Sequence, residues 1–217
     1  MAKNSRRWRQ LTVALHVITS LGWMGQALAL ASLLSVAMST ADPDTRVAAT
    51  SMAHHLDLSV LAVLANASAF TGIMLAASTS WGFFRHRWVW IKFGLTLVQL
   101  YAGIFLLSDA LDDATAAARD VQAAPPVALV IGTAAMVGAL AFQTWLSVAK
   151  PGRAAPGRAK PPTASERTFA VTAVVVLADI VLSVLLGNPA PLFSLVTIAV
   201  RLGSRTRELR GRVLVQT

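Results

Sequence analysis

The stretch LTVALHVITSLGWMGQALALASLLSVAM, residues Leu11–Met38, decides the fold. It carries no acidic or basic charge, and His16, Trp23 and Gln26 interrupt an otherwise greasy run. About 20 helical residues cross a hydrocarbon core of roughly 30 Å, so this run spans a bilayer with residues to spare. A basic tail, Lys3, Arg6, Arg7 and Arg9, precedes it. The apolar region is longer than the 7–15 residues of a secretory leader. It therefore reads as a retained first span.

The rest of the chain repeats the pattern. Of 217 residues, 55% are hydrophobic and 13% charged, against about 25% charged in soluble domains. The formal charge of +9 comes from short Lys and Arg clusters between apolar runs. That placement belongs to cytoplasmic loops facing anionic lipid headgroups, and argues against nucleic acid as a partner. There is no cysteine, which excludes disulfides, thiolate nucleophiles and Cys-ligated zinc or iron–sulfur centres.

Further spans are expected at Leu56–Thr79, Trp88–Leu107 and Pro125–Val148. The polar stretch Ser39–His55 and the acidic stretch Ser108–Ala124 read as loops between them. The expected organisation is a basic tail (1–10), a four-helix transmembrane bundle (11–148), a basic Pro/Gly linker (149–168) with a repeated Pro-Gly-Arg-Ala, a fifth apolar segment (169–200) and a basic tail (201–217). The fold class is all-α, a polytopic membrane helix bundle. Asn188-Pro189-Ala190-Pro191 breaks the fifth segment, which either spans or re-enters. Nineteen apolar residues, Phe169–Gly187, favour a fifth crossing.

Orientation follows from Lys and Arg. The starting tail has four, residues 80–92 three and the linker five, while the two intervening loops have one each, Arg46 and Arg119. The expectation is a multi-pass protein of the cell (inner) membrane with a cytoplasmic N-terminus. A fifth crossing would leave five arginines, from Arg201 to Arg212, outside.

Polar side chains within spans are costly and face the bundle interior. His16, Ser20, Trp23 and Ala27 share one face of the first span, with Gln26 beside them. Lys92, Thr96, Gln99 and Gly103 repeat that spacing in the third. His16 and Lys92 should lie at similar depth, with Gln143 of the fourth span close to that level and Asn66 of the second near mid-membrane. These residues form a candidate polar pocket, and serve equally as interhelical glue. A neutral imidazole there can ligate haem iron or pass protons. Asp179, midway along the fifth segment, reads as a helix-pairing group, a partner contact or a proton relay. His54 and His55 read as an exposed pair, Asp57 as a group capping or entering the second span, and His86 as part of a headgroup-facing loop. No metal cluster is expected.

Three stretches carry a resemblance. Leu15–Gly25 (LHVITSLGWMG), Ser80–Lys92 (SWGFFRHRWVWIK) and Lys150–Arg153 resemble a family of uncharacterised four-helix integral membrane proteins from high-GC Gram-positive bacteria. The match covers roughly residues 10–157 and implies a fold without an activity. More distantly, the histidine of the first span and the Trp-x-x-x-Lys start of the third are similar to haem-binding membrane protoporphyrinogen oxidases and copper-resistance D-type proteins. That resemblance implies haem b as cofactor, with His16 and Lys92 as axial ligands. The residues leave three readings open: a non-enzymatic accessory or interaction component with a membrane protein partner or a second copy, a haem-binding redox protein, and a small permease with a polar path through His16, Gln26, Asn66 and Gln99.

Overall fold

A computed structural model describes residues 3–121, 123–152 and 163–215. The described residues are all-helical, with no strand. Five helices are long and apolar enough to cross a bilayer. The first, α1 (Lys3–Ser39), lies at the centre of the bundle against three others. Its hydroxyls donate back to carbonyls one turn earlier, as Thr19 does to Leu15 (2.8 Å) and Ser35 to Ala31 (2.7 Å). Such back-bonding satisfies a hydroxyl inside an apolar segment.

The turn into α2 (Pro43–Ser78) is only three residues long, at 40–42. Asp42 caps α2, its Oδ2 accepting the Thr45 amide at 3.1 Å, and Pro43 takes the first helical position. Arg46 folds back to close α1, donating to the Thr40 carbonyl at 2.6 Å and the Ala37 carbonyl at 3.2 Å. Helix α2 runs without interruption through a π turn at Asp57–Leu61. Helix α3 (Arg87–Val121) does the same through a π turn at Gly103–Leu107. Helix α4 (Val127–Ala149) closes the four-helix core.

The expected loops 39–55 and 108–124 are therefore mostly helix, a correction with a plain cause. Ala49, Thr50 and Ala53 make one inward stripe, and Leu111, Ala114, Thr115 and Ala118 another. Spacings of three and four define an amphipathic face, whatever the polarity of the opposite face. At 1.5 Å per residue, α2 (36 residues) and α3 (35 residues) reach about 50 Å, some 20 Å beyond a hydrocarbon core. The excess forms a lobe at one end of the bundle, termed the outer lobe because the Lys and Arg asymmetry leads us to expect it outside. Its core is Leu30, Leu34, Ala53, Leu111, Ala114 and Leu129, and its surface carries Asp44, Asp109, Asp112, Asp113 and Asp120.

Most of the Pro-Gly-Arg-Ala repeat lies outside the described residues. Just after it, the Ala164 amide donates to the Ser78 carbonyl at 2.8 Å, tying the chain to the inner end of α2. Helix α5 (Glu166–Leu186) then packs on α1 and α2. Gly187 ends it in the left-handed region (φ +65), where a side chain would be strained. After Pro189 and Pro191 the chain enters α6 (Leu192–Val215). Ser194 meets Asp179, while Ile198 joins Phe70, Met74 and Val176. As the α6 number rises its partner's number falls, so α6 runs back along α5. Residues 169–200 thus form a broken hairpin in which α5 has spanning length and α6 returns.

Candidate functional site

The sequence-predicted pocket residues fall into two sets. On the α1–α2 side, His16 Nδ1 lies 3.1 Å from both the Ser68 carbonyl and Thr71 Oγ1, and Ser20 Oγ lies 2.7 Å from Ser68 Oγ. Gly72 permits this approach: a Cβ there would stand 3.0 Å from His16 Cε1. On the α3–α4 side, Lys92 donates to the Ser147 hydroxyl. Thr96 donates to Gln143 Oε1 at 3.0 Å, Gln143 donates to Gln99 Oε1, and Gln99 Nε2 donates to the Met136 carbonyl at 3.2 Å. These bonds form a polar seam from Lys92 toward mid-membrane. Two buried atoms on α1 stand without a hydrogen-bond partner, Trp23 Nε1 and Gln26 Oε1.

Asp179 belongs elsewhere. Its Oδ1 accepts the Phe193 amide at 3.1 Å and its Oδ2 the Ser194 amide at 2.8 Å. One turn on, Ser183 Oγ accepts the Ala190 amide at 2.9 Å. Both oxygens of a buried carboxylate are thus spent on the first turn of α6, where orphan N–H groups and the helix dipole favour negative charge. Asn66 faces Asp179 across a cavity of about 10 Å³.

Sequence reasoning underrated Asp57. It is not an entry cap but lies mid-helix, 6% exposed, at the start of the α2 π turn. The Ser108 hydroxyl, just past the α3 π turn, donates to its Oδ2 at 2.5 Å. Asp57 walls a cavity of about 30 Å³ with Leu30, Leu61, Leu107, Leu129 and Thr133. Gly132 makes room for the α3 π turn, since a Cβ there would meet Leu107 Cδ2 at 2.8 Å. A π turn is rare and collects at functional positions. The available signal was helical periodicity on both sides of Asp57.

The remaining histidines sit at the two ends. His54 Nε2 lies 3.5 Å from Asp112 Oδ1 in the outer lobe. At the inner end, Trp81 stacks with His86 and Trp88 at 5.3 Å each, under the Lys150 ammonium. Burial and the Arg85 guanidinium hold the His86 imidazole below its ordinary value. This is the aromatic and cationic border expected against headgroups.

Two groups, His16 and Lys92, suit a haem iron by chemistry. Lys92 and His16 Nδ1 have protein partners, and neither residue lines the cavities at Asp57 and Asp179. Those cavities measure tens of Å³, against the 300 Å³ or more of a typical small-molecule site. Among the described residues, no group of three or more His, Cys, Asp or Glu side chains is placed to hold a metal. No family model, curated protein or solved structure matches the chain.

Proposed function

We infer that the chain is a non-enzymatic, multi-span component of the cell membrane, an accessory or interaction subunit with both ends in the cytoplasm. One observation carries the reading: most of the polar groups expected to do chemistry, Trp23 Nε1 and Gln26 Oε1 apart, are bonded across helix interfaces. His16 joins α1 to α2, Lys92 and the Gln99–Gln143 pair join α3 to α4, and Asp179 joins α5 to α6. Such bonds fix the packing of a membrane bundle and leave no exposed acid–base pair at a substrate-sized opening.

The α5–α6 hairpin supports the cytoplasmic tail. Asp179 lies 13 residues into α5, about 20 Å along it. From Leu192 a similar rise brings α6 back to the level of the linker near Ser204. The arginines from Arg201 onward then join the basic side, as the positive-inside rule requires.

Two measurements test this. The native chain has no cysteine, so single cysteines report topology directly. An impermeant maleimide applied to intact cells should label Asp113→Cys and leave Ser204→Cys unlabelled until the membrane is opened. Labelling of Ser204→Cys from outside would sink the hairpin topology. A reduced-minus-oxidised spectrum of purified protein, expressed with ample haem, should be featureless. A b-type signal lost in His16→Ala or Lys92→Ala would replace the non-enzymatic reading with the redox one.

A further inference from the structure

Two carboxylates are buried among the described residues, and their surroundings are opposite. Asp179 receives two amides and a helix dipole. Asp57 receives one hydroxyl, from Ser108, and no other described residue donates to it. An ionised carboxylate has about four acceptor positions, and leaving them unfilled in apolar surroundings is expensive. The groups packed around Asp57 do not fill them. Helix α1 presents Ala27 and Leu30, α4 presents Leu129, Thr133 and Met136, and α3 presents Gly103, Leu107 and Leu111 besides Ser108. The nearest titratable side chain is His54, one turn back on α2, and its Nε2 faces Asp112 of α3.

The cavity on which Asp57 opens holds about 30 Å³, the space of one water or one small ion. Its wall carries the Asp57 carboxylate and the Thr133 hydroxyl, which donates to the Leu129 carbonyl at 2.8 Å, among otherwise apolar side chains, a lining that favours a proton on the carboxylate over a coordinated metal ion. Both π turns meet here. The Ala62 amide reaches back five residues to the Asp57 carbonyl, and the Ser108 amide to that of Gly103. The widened turns bring Asp57 and Ser108 together at the junction of membrane and outer lobe. The acidic surface of that lobe raises the local concentration of cations.

We propose that Asp57 is an exchangeable proton-binding site, loaded from the outer lobe past His54 and Asp112. The site stands independently of the non-enzymatic reading, which the haem spectrum tests separately.

Dicyclohexylcarbodiimide, an apolar reagent, tests it on the full chain in detergent. A protonated carboxyl gives its proton to a carbodiimide nitrogen while its oxygen bonds the central carbon, and the adduct rearranges to a stable acylurea found by mass spectrometry. Asp57 should be modified ahead of the exposed Asp109 and Asp113, and Asp179 should stay unmodified. Above its midpoint the rate should fall about tenfold per pH unit. Saturable protection by Na⁺ but not by choline would overturn the assignment to a proton. Asp57→Asn should remove the adduct; if that variant does not fold, the pH and Na⁺ dependence of the native chain still decides. Labelling of Asp57 no faster than of the exposed aspartates, or independent of pH, would overturn the proposal.

Discussion

Replacing Asp179 tests whether this carboxylate is a capping group or a reactive one. In Asp179→Ala the amides of Phe193 and Ser194 lose their acceptors at 3.1 and 2.8 Å. Each buried donor left unpaired costs about 1–3 kcal/mol, so docking of the first turn of α6 should weaken by about 3 kcal/mol. Since 1.4 kcal/mol is tenfold in an equilibrium, amide exchange in the segment 192–200 should speed up roughly a hundredfold, where exchange occurs by local opening. Asp179→Asn keeps one acceptor oxygen and should fall between, at about tenfold. Hydrogen exchange read by mass spectrometry in micelles measures this, with peptides from the outer half of α2 as unchanged controls. If α6 exchanges in Asp179→Ala as it does in the native chain, the capping account is wrong, and a relay or partner role for Asp179 returns.

Three further outcomes follow from named contacts. Gly72→Ala should lower thermal stability by about 1–3 kcal/mol through overpacking against His16, and the double variant with His16→Ala should recover most of that loss in a melting assay. A double-mutant cycle of Gln99→Leu and Gln143→Leu should give a coupling of about 0.6 kcal/mol and at most about 1.7 kcal/mol, the range for hydrogen bonds between membrane helices; near-zero coupling would remove the seam as glue. The Thr45 hydroxyl and amide hold the Asp42 carboxyl below the usual carboxylate range. A depressed folded value gives stability that is present above the unfolded value, about 3.9, and lost as pH falls through the folded one. Melting of the outer lobe should therefore drop at acid pH in the native chain and lose that dependence in Asp42→Asn, which still caps the helix.

The membrane character was legible because hydropathy depends on composition alone. Leu11–Met38 and Pro125–Val148 were recognisable before any packing was known. The overshoot of α2 and α3 was legible in principle, since Leu111, Ala114, Thr115 and Ala118 keep a helical spacing. Four aspartates on the opposite face hid it, because polarity was read as loop. The polar residues of the spans were found one by one, but not their partners. Ser68, Thr71 and Ser147 are too ordinary to stand out, and only the fold shows that they answer His16 and Lys92. Asp57 was misjudged for a related reason. Depth in a helix is counted from its end, and the start of α2 lies 13 residues earlier than a hydropathy boundary suggests.

The tail arginines bear on the proposed hairpin topology. With five full crossings, the positive-inside rule is broken at the C-terminus. With the hairpin, 17 of the 19 Lys and Arg residues fall on one side, all but Arg46 and Arg119. Holding α6 in that return path requires something to satisfy its first amides where no water reaches. The sequence places a carboxylate there, on the facing helix, 15 residues before Ser194. A charge in mid-bilayer costs about 3 kcal/mol on insertion scales, a cost of the same order as the capping bonds it makes. Asp179 is best understood as the group that lets the chain turn back, and the arginines beyond it as the reason that it must.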